Sequence, residues 1–152
     1  MSVDNRQHIH YNLSLQRLAL KKDAIGRTKA MRWISEKKSV PSWEIRHEAS
    51  ISDYNGCTMA MLWIINVKTE PPNWMRHSNI LADILGKTMA MLWIEKVKTE
   101  PPEWMRHDIR LNDKEGRTMA VLWIANVKTE PPKWMRLSHE FGNKEGKTTA
   151  IL

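Results

Sequence analysis

Three histidines, His47, His77 and His107, stand 30 residues apart, each directly after an arginine (Arg46, Arg76, Arg106). Imidazoles in a regular row invite a metal-binding or proton-transfer reading. Layers of a helical stack lie roughly 8–10 Å apart, too far for two such rings to share a zinc whose bonds are about 2.0–2.1 Å. Each ring is therefore expected to satisfy a backbone group between units. A fourth arginine, Arg136, is followed by Leu137, so no catalytic role runs through the whole row. His8 and His10 share a face only in an extended segment, and two ligands are too few for a metal site.

A second row, Glu70, Glu100 and Glu130, is flanked by Lys68, Lys98 and Lys128. Acid–base work needs carboxylates in unlike environments, whereas repetition gives these like ones. They are expected to act as caps or as a solvated face. Cys57 is the only cysteine. That excludes a disulfide framework and a cysteine-based zinc centre. It occupies a place held elsewhere by Arg or Lys, so an exposed or half-exposed thiol is expected. No Gly-rich phosphate loop, nucleophile elbow or HExxH stretch occurs. The chain is read as non-enzymatic, with no cofactor and no metal.

The elements that place these residues form a repeat. Five of the 6 glycines fall at 26, 56, 86, 116 and 146. A strict period points to stacked units rather than one irregular core. The units run 26–55, 56–85, 86–115 and 116–145, with a partial unit at 146–152. A segment at 1–25 precedes them, and its Leu13, Leu15, Leu18 and Leu20 are expected to cap the N-terminal end of the stack.

Within a unit the physics reads in order. Gly86, like Gly56 and Gly116, supplies a backbone able to reach positive φ at a tight turn. Thr88 sits where a hydroxyl caps a helix start. Met89, Ala90, Leu92, Trp93 and Ile94 follow almost without a polar residue, so this helix must be covered on most sides. Pro101-Pro102 ends it, and Pro102 is expected to open a short second helix over PEWMRH, about two turns long. The stretch DIRLNDKE has no clear period and reads as an exposed loop or hairpin. Trp63, Trp93 and Trp123 (with Trp33) are expected to form one internal ladder, and Trp74, Trp104 and Trp134 a second. Both are structural on this reading, because a buried Trp covers ~150–250 Å².

The 152 residues are 27% charged and 41% hydrophobic, with a net charge of +7. Such a balance suits an acidic partner: nucleic acid, an acidic protein face or an anionic membrane surface. No apolar run approaches the ~18 residues that span a bilayer. The start, MSVDNRQHIH, has no apolar core of a secretory signal. A cytoplasmic protein is expected, or one delivered into a host cell without a cleaved signal peptide. The near-identity of the units fits recent duplication, as in fast-changing proteins of bacteria, phages or parasites.

The D-x-x-G-x-T start of each unit (Asp53, Gly56, Thr58; Asp83, Gly86, Thr88; Asp113, Gly116, Thr118), followed by an apolar helix carrying Ala, resembles ankyrin repeats. The likeness covers about residues 26 to 152. Departures are plain. The unit is 30 residues long against the family's familiar length of about 33. T-P-L-H-x-A-A becomes T-M-A-M-L-W-I. The Gly that opens the inter-helix loop is replaced by V-K-T-E-P-P, and the second helix is cut to P-P-x-W-M. Tetratricopeptide and pentatricopeptide repeats fit worse, since Pro-Pro interrupts their second helix.

The resemblance implies an all-α solenoid of stacked helix–loop–helix repeats with projecting loops. It implies binding rather than catalysis, with partners held by the finger loops and the exposed side of the first helix. Comparison among the units shows which positions the scaffold leaves free. They are the residue after Gly (Arg27, Cys57, Lys87, Arg117), the end of the first helix (Ile65, Asn66, Glu95, Lys96, Asn126) and the fingers (Asn79, Arg110, Asn112, Lys114, Glu140, Lys144). The expected function is an adaptor or inhibitor binding a partner protein with an acidic surface. Nucleic acid ranks behind, because no basic residue is expected beside an exposed aromatic as single-strand platforms need. A structural or self-assembling role is third. It rests on Ile151 and Leu152, where the fifth unit stops after one helix and self-association is expected.

Overall fold

The computed structural model describes residues 17–136. Four helices recur at the repeat period: α1 (Lys29–Lys37), α2 (Met59–Asn66), α3 (Met89–Lys96) and α4 (Met119–Asn126). Each is followed by a three-residue 3-10 turn: Trp43–Ile45, Asn73–Met75, Glu103–Met105 and Lys133–Met135. Residues 17–20 are also helical. Among the described residues there is no strand, only an isolated bridge between Ser52 and Thr58.

The helix starts follow from the Gly-x-Thr signature. Thr88 is extended (φ −85, ψ 173), and its hydroxyl oxygen accepts the Met91 N–H at 3.2 Å. Thr58 does the same for Met61. Such a cap is worth about 1 kcal/mol. The helix ends where the Val97 and Lys98 N–H groups both turn back to the Trp93 carbonyl. Lys98 there lies in the left-handed region (φ 65), as do Lys38, Lys68 and Lys128. A side chain in that region costs roughly 1–2 kcal/mol. A cation at a helix C-terminus returns only about 0.3–1 kcal/mol of it. Glycine would suit this place better.

Packing is serial: α1 lies on α2, α2 on α3, and α3 on α4. That arrangement explains the unbroken apolar run. α3 has a neighbour on both sides, and all of Met89, Ala90, Met91, Leu92, Trp93 and Ile94 are buried. Ala30, Ala60 and Ala90 are fully buried and Ala120 partly so, and their small side chains suit close packing of successive helices. Each buried Met, Leu or Ile contributes about 1.5–3 kcal/mol. At the N-terminal end the expected apolar cap differs. Ala19 is buried, but Leu18 and Leu20 are exposed, while Leu13 and Leu15 fall outside the described residues.

The second helix is shorter than expected. After Pro102 (φ −56, ψ 152) the chain makes one 3-10 turn, and Arg106 is again extended (φ −69, ψ 143). Two constraints set that length. Proline before the turn keeps its neighbour extended, and the chain beyond must stay extended for His107 to reach back to the cap of its own unit. The turn's inward residue is its methionine; Met75 and Met105 are fully buried.

The D-x-x-G stretches form closed finger tips. Asp83 N–H bonds to the Lys87 carbonyl, Gly86 N–H bonds to the Asp83 carbonyl, and Asp83 Oδ1 accepts the Leu85 and Lys87 amides. Successive tips are joined by backbone bonds: Tyr54 N–H to Ile25 O, Ile84 N–H to Asn55 O, and Lys114 N–H to Leu85 O.

Candidate functional site

The finger tips and helix ends carry most of the residues that differ between units, and the structure sorts them by burial. Cys57 and Lys87, both expected as surface contacts, lie in the interior at 9% and 6% exposure. The charged residues after Gly26, Gly86 and Gly116 turn to finger-tip carboxylates rather than standing free in solvent. Lys87 Nζ sits 3.2 Å from Asp113 Oδ2 and 2.5 Å from Glu95 Oε2. Arg27 reaches Asp53 at 3.4 Å and the Ser35 hydroxyl at 3.2 Å. Arg117 is half-buried against Asp113 at 3.2 Å. A cation buried beside a carboxylate is a structural pair, because its loss would strand the partner charge. Glu95 is tied into the same pair.

Cys57 interrupts this ladder. Burial, with the Asp53 and Asp83 carboxylates nearby, pushes its thiol up to about 12. Thiolate is the reacting species, so the group is inert in the folded chain. Alkylation by iodoacetamide at pH 8 is expected to be at least about 100-fold slower in native protein than in urea, followed by mass spectrometry. Equal rates would show that the thiol is accessible.

Other positions are engaged between or within units. Asn79 Nδ2 donates to the Arg106 carbonyl at 2.6 Å, bridging two units. Asn66 and Asn126 donate to the Leu62 and Leu122 carbonyls and finish their own helices. Arg110 is exposed but forked onto Asp108, at 3.1 and 2.8 Å. That guanidinium holds the Asp108 carboxyl down to about 2. Lys96, Asn112 and Lys114 are exposed, and Ile65 is half-buried. Glu140 and Lys144 lie outside the described residues.

The histidines bond within units, not between them as expected. His77 Nδ1 lies 2.9 Å from the Ser78 carbonyl, and Nε2 lies 2.7 Å from Thr58 Oγ1. A carbonyl only accepts, so Nδ1 carries the hydrogen and Nε2 accepts the threonine O–H. His47–Thr28 and His107–Thr88 repeat the contact at 2.7 and 2.8 Å. Burial lowers the His47 and His77 values, keeping both rings neutral near pH 7. They are locks on the helix caps.

The tryptophan rows separate. Trp63, Trp93 and Trp123 are buried, and each Nε1 donates to the threonine six residues on. Trp33 at the end of that row is exposed. Trp74, Trp104 and Trp134 are half-buried, and each is overlain by the arginine of the preceding unit. Arg46, Arg76 and Arg106 stand 4.5, 4.2 and 4.1 Å from the respective ring centres. Basic residues do therefore alternate with partly exposed aromatics, contrary to expectation. Part of each guanidinium is engaged: Arg76 Nε bonds the Pro71 carbonyl and Nη2 reaches Glu70, which also accepts from Trp104 Nε1 at 2.9 Å. Glu100 repeats this with Arg106 and Trp134. Glu70 and Glu100 thus clamp one unit to the next while staying on the solvated face expected of them, and Glu130 pairs with Arg136 of its own unit. Glu, Trp and Arg are constant across the last three units, but that constancy does not say which unit each one touches.

The finger tips also carry exposed apolar side chains. Ile25, Tyr54, Ile84 and Leu85 occupy successive finger tips and are 51%, 64%, 53% and 57% exposed. Lys22 Nζ stands over the Tyr54 ring at 5.7 Å, and Lys114 is exposed on the next finger. Sequence reading had not singled out these apolar side chains.

Among the described residues no three His, Cys, Asp or Glu side chains converge on a metal position. No described helix is long and apolar enough to cross a membrane. Comparison with protein-family models, curated proteins and solved structures gives no match.

Proposed function

We propose that the chain is an ankyrin-like solenoid that binds a partner protein through its finger tips and the adjoining helix ends, without catalysis. The observation that carries this reading is the ridge of Ile25, Tyr54, Ile84 and Leu85. These side chains stand in solvent on a backbone rigidified by finger-to-finger hydrogen bonds. Exposed apolar and aromatic side chains held on a rigid frame are the usual centre of a protein interface. Lys22, Lys96 and Lys114 suit an acidic surround on the partner. Cys57 and Lys87 leave the proposed contact set because they are buried. Such a module acts as an adaptor or inhibitor by covering another protein's surface.

The nucleic-acid reading draws less support, since the arginines of the aromatic row already bond glutamate and backbone carbonyls. Self-association through the C-terminal end falls on residues outside the described ones.

The test is affinity capture with the triple variant Tyr54→Ser, Ile84→Ser, Leu85→Ser. The variant keeps its melting temperature within a few degrees and loses at least about tenfold in partner recovery, because central apolar contacts dominate interface energies. Equal recovery by both proteins would remove the finger face.

A further inference from the structure

Lys38, Lys68, Lys98 and Lys128 form a row, one per unit, just beyond the end of each helix. All four have positive φ, between 54 and 66. They are the only described non-glycine residues with positive φ. All four are exposed, and none takes part in an ion pair among the described residues. Lys98 Nζ donates to the Glu95 carbonyl of its own helix at 3.3 Å, a neutral acceptor that leaves the charge uncompensated. For the last three lysines the acidic groups two residues on, Glu70, Glu100 and Glu130, are each turned to the arginine of their own unit, and Glu36 beside Lys38 is exposed and forms no ion pair among the described residues.

The row carries a cost that the scaffold does not require. Glycine satisfies this backbone without strain, and the favourable effect of a cation at a helix end is the smaller term. The first unit is the most diverged, with SEKKSVPSWEI where the others read VKTEPP and WM, yet it keeps Lys38 in the same conformation. Strain repeated at one exposed cationic position in every unit points to the side chain's use.

Uncompensated positive charge calls for an acidic partner, and the general repeat of a helical stack suggests its register. Units of a helical stack recur at roughly 8–10 Å. A peptide in the polyproline conformation advances about 3.1 Å per residue, so every third residue returns to one side at about 9.3 Å. We propose that this lysine edge binds an extended acidic peptide segment with carboxylates at every third position. The proposal is separate from the finger-face reading, and either can fail without the other.

The experiment measures binding of a fluorescent peptide of four Glu-Pro-Pro triplets by anisotropy in low salt. The comparison probes are oligo-dT and a peptide of identical composition whose glutamates form one block ahead of the prolines. The lysines are replaced together: Lys38→Gly, Lys68→Gly, Lys98→Gly and Lys128→Gly. An exposed pair is worth a factor of about 1.5–5, so the fourfold variant is expected to bind the spaced peptide on the order of 30-fold more weakly. Its melting temperature is expected to hold or rise, because glycine relieves the strain, and that separates lost charge from lost fold. The block peptide should bind at least about fivefold more weakly than the spaced one, and the triple finger variant should bind the spaced one normally. Retained affinity in the glycine variant would overturn the proposal. So would equal binding of the two peptides, or tighter binding of oligo-dT.

Discussion

Trp93→Ala is expected to lower the free energy of unfolding by about 3–5 kcal/mol. The indole is 8% exposed and belongs to α3, which packs against α2 on one side and α4 on the other. Truncation opens a cavity in a layer that both neighbours need. It also frees the Thr99 hydroxyl, which accepts the indole N–H at 2.9 Å. In a serial stack, stability is close to a sum of unit and interface contributions. Weakening a central layer should therefore reduce the cooperativity of unfolding as well as its midpoint. Urea denaturation followed by circular dichroism measures both. Trp93→Phe keeps most of the volume and gives up one hydrogen bond, so about 1 kcal/mol is expected. A loss below about 1 kcal/mol for the alanine variant would show that the tryptophan row is not what joins the layers.

Gly56→Ala is expected to cost about 3 kcal/mol, of which about 1–2 comes from the positive φ alone. Gly56 has φ +79, and a Cβ built there would lie 2.8 Å from the Ile84 nitrogen and 2.9 Å from the Asp83 Cα. Both are backbone atoms, so no side chain can swing away. The Ile84 N–H is the group that bonds back to Asn55. Relief of the clash would separate the two finger tips. Gly86→Ala meets the Lys114 nitrogen at 2.8 Å and should behave alike. Thermal unfolding of the two variants measures the effect. A change within about 0.5 kcal/mol, the range of ordinary surface substitutions, would rule out the close pairing of fingers.

The turn glycines were legible in the sequence from their period. Period, turn glycine and threonine cap are local signals, and they placed the four main helices. The second element was overestimated because two opposing cues met there. Pro102 favours a helix start, but extension beyond Arg106 is imposed by the histidine, whose partner lies 19 residues earlier. Variation between units also misled at Cys57 and Lys87. A position that changes from Arg to Cys to Lys looks like surface, yet here it faces one residue that changes with it. Lys87 meets Glu95 and Arg27 meets Ser35. Paired change at these positions was the available clue to burial. The aromatic clamp was invisible for another reason: Glu70 and Trp104 are 34 residues apart, and constant residues say nothing of which unit they touch. The apolar finger tips were legible only once the backbone showed that nothing covers them.

Site-specific photo-crosslinking tests the claim of protein recognition most directly. A benzophenone amino acid is placed at Ile84 on the finger ridge, or at the exposed Lys133 in the final 3-10 turn. Both proteins are irradiated with the captured partner. The account predicts a single heavier adduct from position 84 that disappears when Tyr54→Ser and Leu85→Ser are added, and none from position 133. Equal adducts from the two positions, or an adduct from position 133 alone, would contradict it.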